Sequence, residues 1–321
     1  MFIRSSTKLV LFILFLSTAS AVWAQKGQKA VKDHGTPILW EQVDTASRDL
    51  FAGAGGEAMR PDLSSITFIE DEKSGHNKKY RIKDGSGRIW VAKLGQEAQP
   101  ETAAVRLLWA LGYKTEINYL VPKITIPGKG TFENVRLEAR PENTKRKGVW
   151  KWRDNPFVGT DQLQGLKIMM VFLTNWDLLD MQNKVVNVSG DGPKQAQYII
   201  SDLGATFGCL GNNNIPVFYR IGRKTNDPDA WSKAKFIDGV ENGELKLAST
   251  GQKSFGLMKG ITVGQARWLA DRLAQLSDSQ LRDAFRAANY STADIEILTV
   301  GSRRRINELV NLSTGQPAAV K

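Results

Sequence analysis

Apolar and polar residues alternate along 66–70, 79–83 and 89–93, the two-residue period of half-buried strands. Lys73-Ser74-Gly75-His76-Asn77 and Asp84-Gly85-Ser86-Gly87 separate these runs with turn-forming residues, so an antiparallel meander is expected. The period then lengthens. Pro100 and Glu101 open a stretch in which Ala104, Leu107, Leu108 and Leu111 recur at helical spacing, and Gly112 closes it. Residues 119–126 and 132–140 return to strand character and bring the expected sheet to five strands.

A second helix is expected over 162–173, with Leu166, Met169, Met170 and Leu173 as its buried stripe, followed by a strand over 197–201. The segment 210–244 is rich in Gly, Asn and Asp and reads as a long mobile loop. Helical periodicity fills 262–276, 279–288 and 291–312, with caps at Ser277-Asp278-Ser279 and Ser291-Thr292-Ala293-Asp294. The order of elements predicts an α+β chain of two lobes, a small antiparallel β lobe and a larger, mainly helical one.

The first residues are set apart from this fold. Arg4 and Lys8 precede an apolar run over 9–16, and small residues lead to Val22-Trp23-Ala24, the pattern of a secretory signal peptide cleaved after Ala24. The apolar core is shorter than the ~20 residues of a membrane span, and no later segment is long and apolar enough to cross a bilayer. A secreted or periplasmic protein is therefore expected. Its organisation divides into a signal peptide (1–24), an N-terminal extension (25–65), a β-rich lobe (66–141), a helical lobe (142–315) and a tail (316–321).

An apolar fraction of 41% is enough for a large core, and the lone Cys209 excludes an intramolecular disulfide. Two histidines, His34 and His76, leave no set for a histidine-built metal site. The net charge of +11 includes Arg4 and Lys8, so the chain after cleavage stands near +9 and favours acidic partners. Lys145-Arg146-Lys147, with Trp150 and Trp152 close behind, has the mixture of a single-stranded nucleic-acid binder, but is read as a solvated loop whose tryptophans pack on the body, so nucleic acid is not the expected partner. Arg303-Arg304-Arg305 reads as the solvated face of a terminal helix. Phe51-Ala52-Gly53-Ala54-Gly55-Gly56 lacks the terminal Gly-Lys-Ser/Thr and the preceding strand of a phosphate loop, and reads as a turn into the first strand.

Four short pieces carry the candidate chemistry. Trp90-Val91-Ala92-Lys93-Leu94 ends a strand on a lysine that can hold nucleotide phosphates, and Glu101, with Glu97 as a less suitable substitute, can hold that lysine in place. Asn175-Trp176-Asp177 offers an acceptor-orienting carboxylate, with Asp180 as its rival. Gln182 and Asn183 lie five and six residues after Asp177, and either amide oxygen could ligate Mg²⁺. Asp202-Leu203-Gly204 follows an apolar strand, where a carboxylate needs a metal or an ionic partner. The turn holding Gly75 lies where a phosphate-covering loop is expected.

In this order the pieces resemble the atypical protein-kinase-like superfamily, in particular its HipA-like, phosphoinositide-kinase-like and secretory-pathway branches. Residues 100–112, 175–185 and 198–208 also look like a group of uncharacterised bacterial secreted proteins. The resemblance spans about 66–208 and implies a two-lobed protein-kinase-like fold that uses ATP with Mg²⁺ or Mn²⁺. It implies that Lys93 binds phosphates, Glu101 positions Lys93, Asp177 is the catalytic carboxylate, and Asp202 with Asn183 holds the metal. The pattern departs from the superfamily in its single-glycine loop, in having neither His nor Arg beside Asp177, and in an extra residue before Asn183. The expected function is an extracytoplasmic phosphotransferase acting on an acceptor hydroxyl of a protein, glycan or lipid; the alternative is a catalytically inactive, pseudokinase-type binding module of the cell envelope.

Overall fold

The computed structural model describes residues 35–72, 77–190, 192–211 and 222–314. The expected signal peptide, Gly75 and the tail lie outside the described residues. The N-terminal strands are β1 (Thr36–Ile38), β2 (Thr67–Asp71), β3 (Lys79–Lys83) and β4 (Ile89–Lys93), followed by α1 (Ala98–Ala110), β5 (Asn118–Ile126) and β6 (Gly130–Ala139). Strands β2 to β6 form one antiparallel sheet in the order β2-β3-β4-β6-β5, the five strands expected.

The β3–β4 turn owes its shape to Asp84. Its buried carboxylate accepts hydrogen bonds from the backbone N–H of Ser86 and Arg88 and from the Trp90 indole, while Gly87 takes the positive φ that a side chain would resist. The pleat then sorts residues by face. Tyr80, Trp90, Ala92, Tyr119 and Leu137 lie on one face within a core of their own. Val91, Lys93, Arg136 and Glu138 lie on the other, so the paired strands carry buried charge toward α1. Helix α1 starts at Ala98, earlier than Pro100 was expected to start it; within the first turn the missing N–H of Pro100 costs nothing.

The second lobe contains β7 (Thr144–Gly148), α2 (Asp161–Phe172), β8 (Asn183–Val188), β9 (Gln195–Ile200), β10 (Cys209–Leu210), β11 (Arg223–Lys224), α3 (Pro228–Lys233), β12 (Ile237–Glu241), β13 (Glu244–Leu247), α4 (Val263–Leu273), α5 (Asp278–Ala287) and α6 (Thr292–Thr314). A four-stranded sheet runs β1-β9-β8-β7, with β1 parallel to β9. The chain thus has the α+β order expected, an antiparallel five-stranded part followed by a mainly helical one. One large core joins α1, α2 and α4 to α6. No described helix is long and apolar enough to cross a membrane.

Three expectations are corrected. The basic run is a strand, β7, paired with β8, because an exposed edge tolerates Lys145 and Lys147 facing water; Trp150 and Trp152 are indeed buried behind it. Within 210–244 the described residues form α3, the β10–β11 pair and the β12–β13 hairpin instead of one loop. Arg305 is fully buried: its guanidinium donates to the carbonyls of Val171, Phe172, Trp231 and Ala234 and so clamps α6 to the ends of α2 and α3. Only Arg303 and Arg304 answer to a surface face.

Candidate functional site

Three elements converge on one ammonium group. Strand β4 ends on Lys93, whose Nζ lies 2.9 Å from Glu101 Oε2 on α1, 2.9 Å from Glu97 Oε2 just before α1, and 2.7 Å from Asp202 Oδ1 after β9. Burial by itself would lower the lysine's pKa, but the carboxylates of Glu101, Asp202 and Glu97 outweigh it and hold the pKa above the ordinary value. Burial pushes Asp202 up, yet Lys93 overrides this and holds its carboxyl below the usual range. Lys93 is buried while the Asp202 side chain is 47% exposed, so the aspartate keeps access to solvent.

The backbone at Asp202 is left-handed, with φ of 62°, a conformation few non-glycine residues adopt. Two residues on, a Cβ at Gly204 would lie 2.5 Å from Glu97 Cβ, so only glycine lets this loop close against the start of α1. Asn77 Nδ2 donates to Glu97 Oε2, which brings the end of the β2–β3 turn to the same carboxylate. Gly75 itself is outside the described residues.

Behind Lys93 the charges continue as a network. Arg136 Nη2 donates to Glu101 Oε1 at 2.6 Å and the same guanidinium bonds Glu138; Arg146 of β7 pairs with Glu138 at 2.7 Å and with Glu116, and Ser201 Oγ donates to Glu116 at 2.7 Å. This joins the five-stranded sheet to the four-stranded one. Burial, with repulsion from Glu138, pushes Glu116 up to about 7, whereas Arg140, Arg136 and Arg146 overcome the burial of Glu138 and hold it low. Beside this network lies a cavity of about 300 Å³, bounded by Glu138, Ala139, Arg140 and Pro141 on one side and by Val186 and Ile199 on the other.

The segment after α2 is drawn against the Asp202 loop by Trp176 N–H donating to Ala205 O and Phe207 N–H donating to Leu173 O. Asp177 accepts from Gln182 Nε2 at 2.7 Å and forms an ion pair with Lys253. The rival Asp180 is engaged elsewhere, accepting from the backbone N–H of Trp152. Gln182 spends its amide oxygen on Leu179 N–H, and Asn183 is buried, donating to Trp150 O. The structure thus gathers Lys93, Glu101 and Asp202 into direct contact, holds Asp177 on the adjoining loop, and turns Gln182 toward Asp177.

Sequence reasoning missed Lys253, 76 residues beyond Asp177, for which no local pattern exists. It also missed Arg136 and Glu138, although opposite charges flanking Leu137 in the alternating run Val135-Arg136-Leu137-Glu138-Ala139 were a usable signal. No protein-family model matches the chain, and no curated protein matches it. Among solved structures, the chain is similar to the Helicobacter pylori proinflammatory kinase CtkA, at 10% identity and a TM-score of 0.49, over 80% of this chain and 99% of that one.

Proposed function

We propose that this chain is a nucleotide-dependent phosphotransferase working outside the cytoplasm, with ATP as donor and an acceptor hydroxyl on a protein, glycan or lipid. The observation that carries the reading is the buried Lys93–Glu101 pair with Asp202 at 2.7 Å from the same ammonium, since a strand lysine, a helix glutamate and a loop aspartate must meet at one point for phosphoryl transfer. The nucleobase fits the cavity of about 300 Å³ between the lobes.

The donor set suits a divalent cation in part. Asp202 and Glu97 place two carboxylates on one ammonium, with the Asp202 side chain about half exposed, whereas Gln182 is committed to Asp177 and Leu179. Asp202, with Glu97 beside it on the same ammonium, would hold Mg²⁺, which would supply charge neutralisation on the phosphates when bound, whereas Asn183 is buried against Trp150. Lys93 neutralises the donor phosphates, Glu101 keeps Lys93 in place, and Asp177 orients the acceptor hydroxyl and receives its proton. Lys253 holds Asp177 in place by its ion pair, a task that a neighbouring His or Arg would otherwise fill.

The test is thermal unfolding of the purified protein with and without ATP and Mg²⁺, run beside Asp202→Ala. Ligand at a hundredfold excess over Kd stabilises by about 2.7 kcal/mol. A metal-dependent rise in Tm that Asp202→Ala loses supports the reading; no rise with ATP, GTP or Mn²⁺ overturns it. The engagement of Gln182 by Asp177 favours a second reading, a nucleotide-binding module without turnover. Transfer of labelled γ-phosphate to any acceptor, including water, separates the two.

A further inference from the structure

Five residues along α1 from Glu101 lies a second site, built around a buried cation on which the carboxylate of Asp49 acts through space without forming an ion pair. Arg106 is 2% exposed, and among the described residues no carboxylate oxygen lies within ion-pair distance of it. Its guanidinium donates only to Asn118, to Oδ1 at 3.2 Å and to the backbone oxygen at 2.8 Å, and its Nε has no partner. Burial pulls its pKa down to about 10. A buried charge left this way is costly unless something of opposite sign completes it.

Arg106 lines a cavity of about 370 Å³ between the 51–63 segment, α1, β5 and the end of α5. Arg60 and Arg286 line it too, and no acidic side chain does. Both of these guanidiniums lie over the ring of Phe51, at 5.4 and 4.9 Å from its centroid, while Arg106 lies 5.5 Å from the ring of Tyr119. The surface pair keeps one acid each outside the cavity lining, Glu57 for Arg60 and Asp283 for Arg286, so the guanidiniums face the cavity without a carboxylate lining it. Its wall is shaped for this. Gly53 has φ of 69°, and a Cβ there would lie 2.3 Å from Arg106 Cζ, so only a glycine lets the 51–53 turn close over the guanidinium.

We propose that this cavity binds a phosphate monoester of a small molecule. Planar guanidiniums converging from three elements match a tetrahedral oxyanion through paired N–H donors, which an ammonium cannot do. Three guanidiniums offer more paired N–H donors than a carboxylate can accept, and Phe51, Leu63 and Val121 supply an apolar wall for the part that carries the phosphate. The site is separate from the Lys93 cleft and stands whether or not that cleft transfers phosphate.

The experiment is calorimetric titration of the full chain with inorganic phosphate, phenyl phosphate and, as a charge control, acetate, without nucleotide or metal. Phenyl phosphate is expected to bind more tightly than phosphate, and acetate not at all. The double variant Arg60→Gln/Arg286→Gln, which alters only surface arginines, is expected to weaken phenyl phosphate at least tenfold, while Asp202→Ala leaves its affinity unchanged. Arg106→Met is expected to abolish binding and, without ligand, to leave Tm equal or higher because a buried charge with no ion pair is gone. Absence of phenyl phosphate binding below about 10 mM, affinity indifferent to the arginine variants, or loss of binding in Asp202→Ala would each overturn the proposal, the last by assigning the anion to the Lys93 cleft.

Discussion

Lys93 and Glu101 form an ion pair of 2.9 Å in which the carboxylate is 1% exposed, and the second oxygen of Glu101 is held by Arg136 at 2.6 Å. One helix carboxylate therefore links β4, β6 and α1. Its loss is felt in all three.

Glu101→Gln removes one negative charge from between two buried cations. Breaking a buried pair on one side costs about 3–5 kcal/mol. At roughly 2–4 °C per kcal/mol for a chain of this size, Tm should fall by about 6 °C or more, read by calorimetry. A fall of less than ~2 °C would mean that Glu97 and Asp202 suffice to balance Lys93. Stabilisation by ATP and Mg²⁺ should also be lost.

Asp177 and Asp180 separate by phenotype. In the proposed reaction the Asp177 carboxylate acts on the acceptor, so Asp177→Asn should lower phosphoryl transfer by about 10²-fold or more while leaving nucleotide stabilisation intact. Asp180→Asn should instead weaken the bond to Trp152 N–H, costing about 1 kcal/mol with turnover retained. Steady-state kinetics on both variants, beside their Tm, decides the assignment. Lys253→Met should follow Asp177→Asn in turnover.

The Glu116 carboxyl sets a pH dependence of opposite sign to the usual acidic group. Its folded pKa is raised to about 7, above the unfolded carboxylate value, so the folded state holds a proton that the unfolded state has released. That contribution is complete below about pH 4.5 and is lost as the pH rises through about 7. Stability should decline from pH 5 to 7 by on the order of 1–3 kcal/mol, and Glu116→Gln should flatten the curve. Denaturant unfolding at a series of pH values measures it. An equally steep decline in the variant would assign the titration elsewhere.

Arg305 and Arg303 are near neighbours with different duties. Arg305 gives its donors to four backbone carbonyls, three of them buried, which a lysine cannot serve at once; Arg305→Lys should cost about 2 kcal/mol or more. Arg303 bonds exposed Asp278 and the Leu276 carbonyl at the surface, and Arg303→Gln should cost less than ~1 kcal/mol. Urea midpoints of the two variants give the contrast.

Much of the fold can be read from local order alone. The alternation at 79–83 and 89–93 and the Asp84 turn specify a hairpin because pleat and turn chemistry act over a few residues. The helical stripes of α2 and α4 to α6 follow for the same reason. Lys93, Glu101 and Asp202 were also legible, since each sits at the end or start of an element whose period is strong.

Long-range encounters account for the rest. An edge strand such as β7 is stabilised by the β8 backbone, and a basic sequence carries no mark of that pairing. Arg305 looks like Arg303 and Arg304 in the chain, and only the docking of α6 against α2 and α3 determines which of the three is enclosed. Lys253 with Asp177, and Arg146 with Glu116, meet across loops whose closure depends on the packed cores. Hydrophobic period acts between neighbours in sequence, whereas charge partners in a folded chain are chosen by distance in space, and that distance exists only once the lobes have assembled.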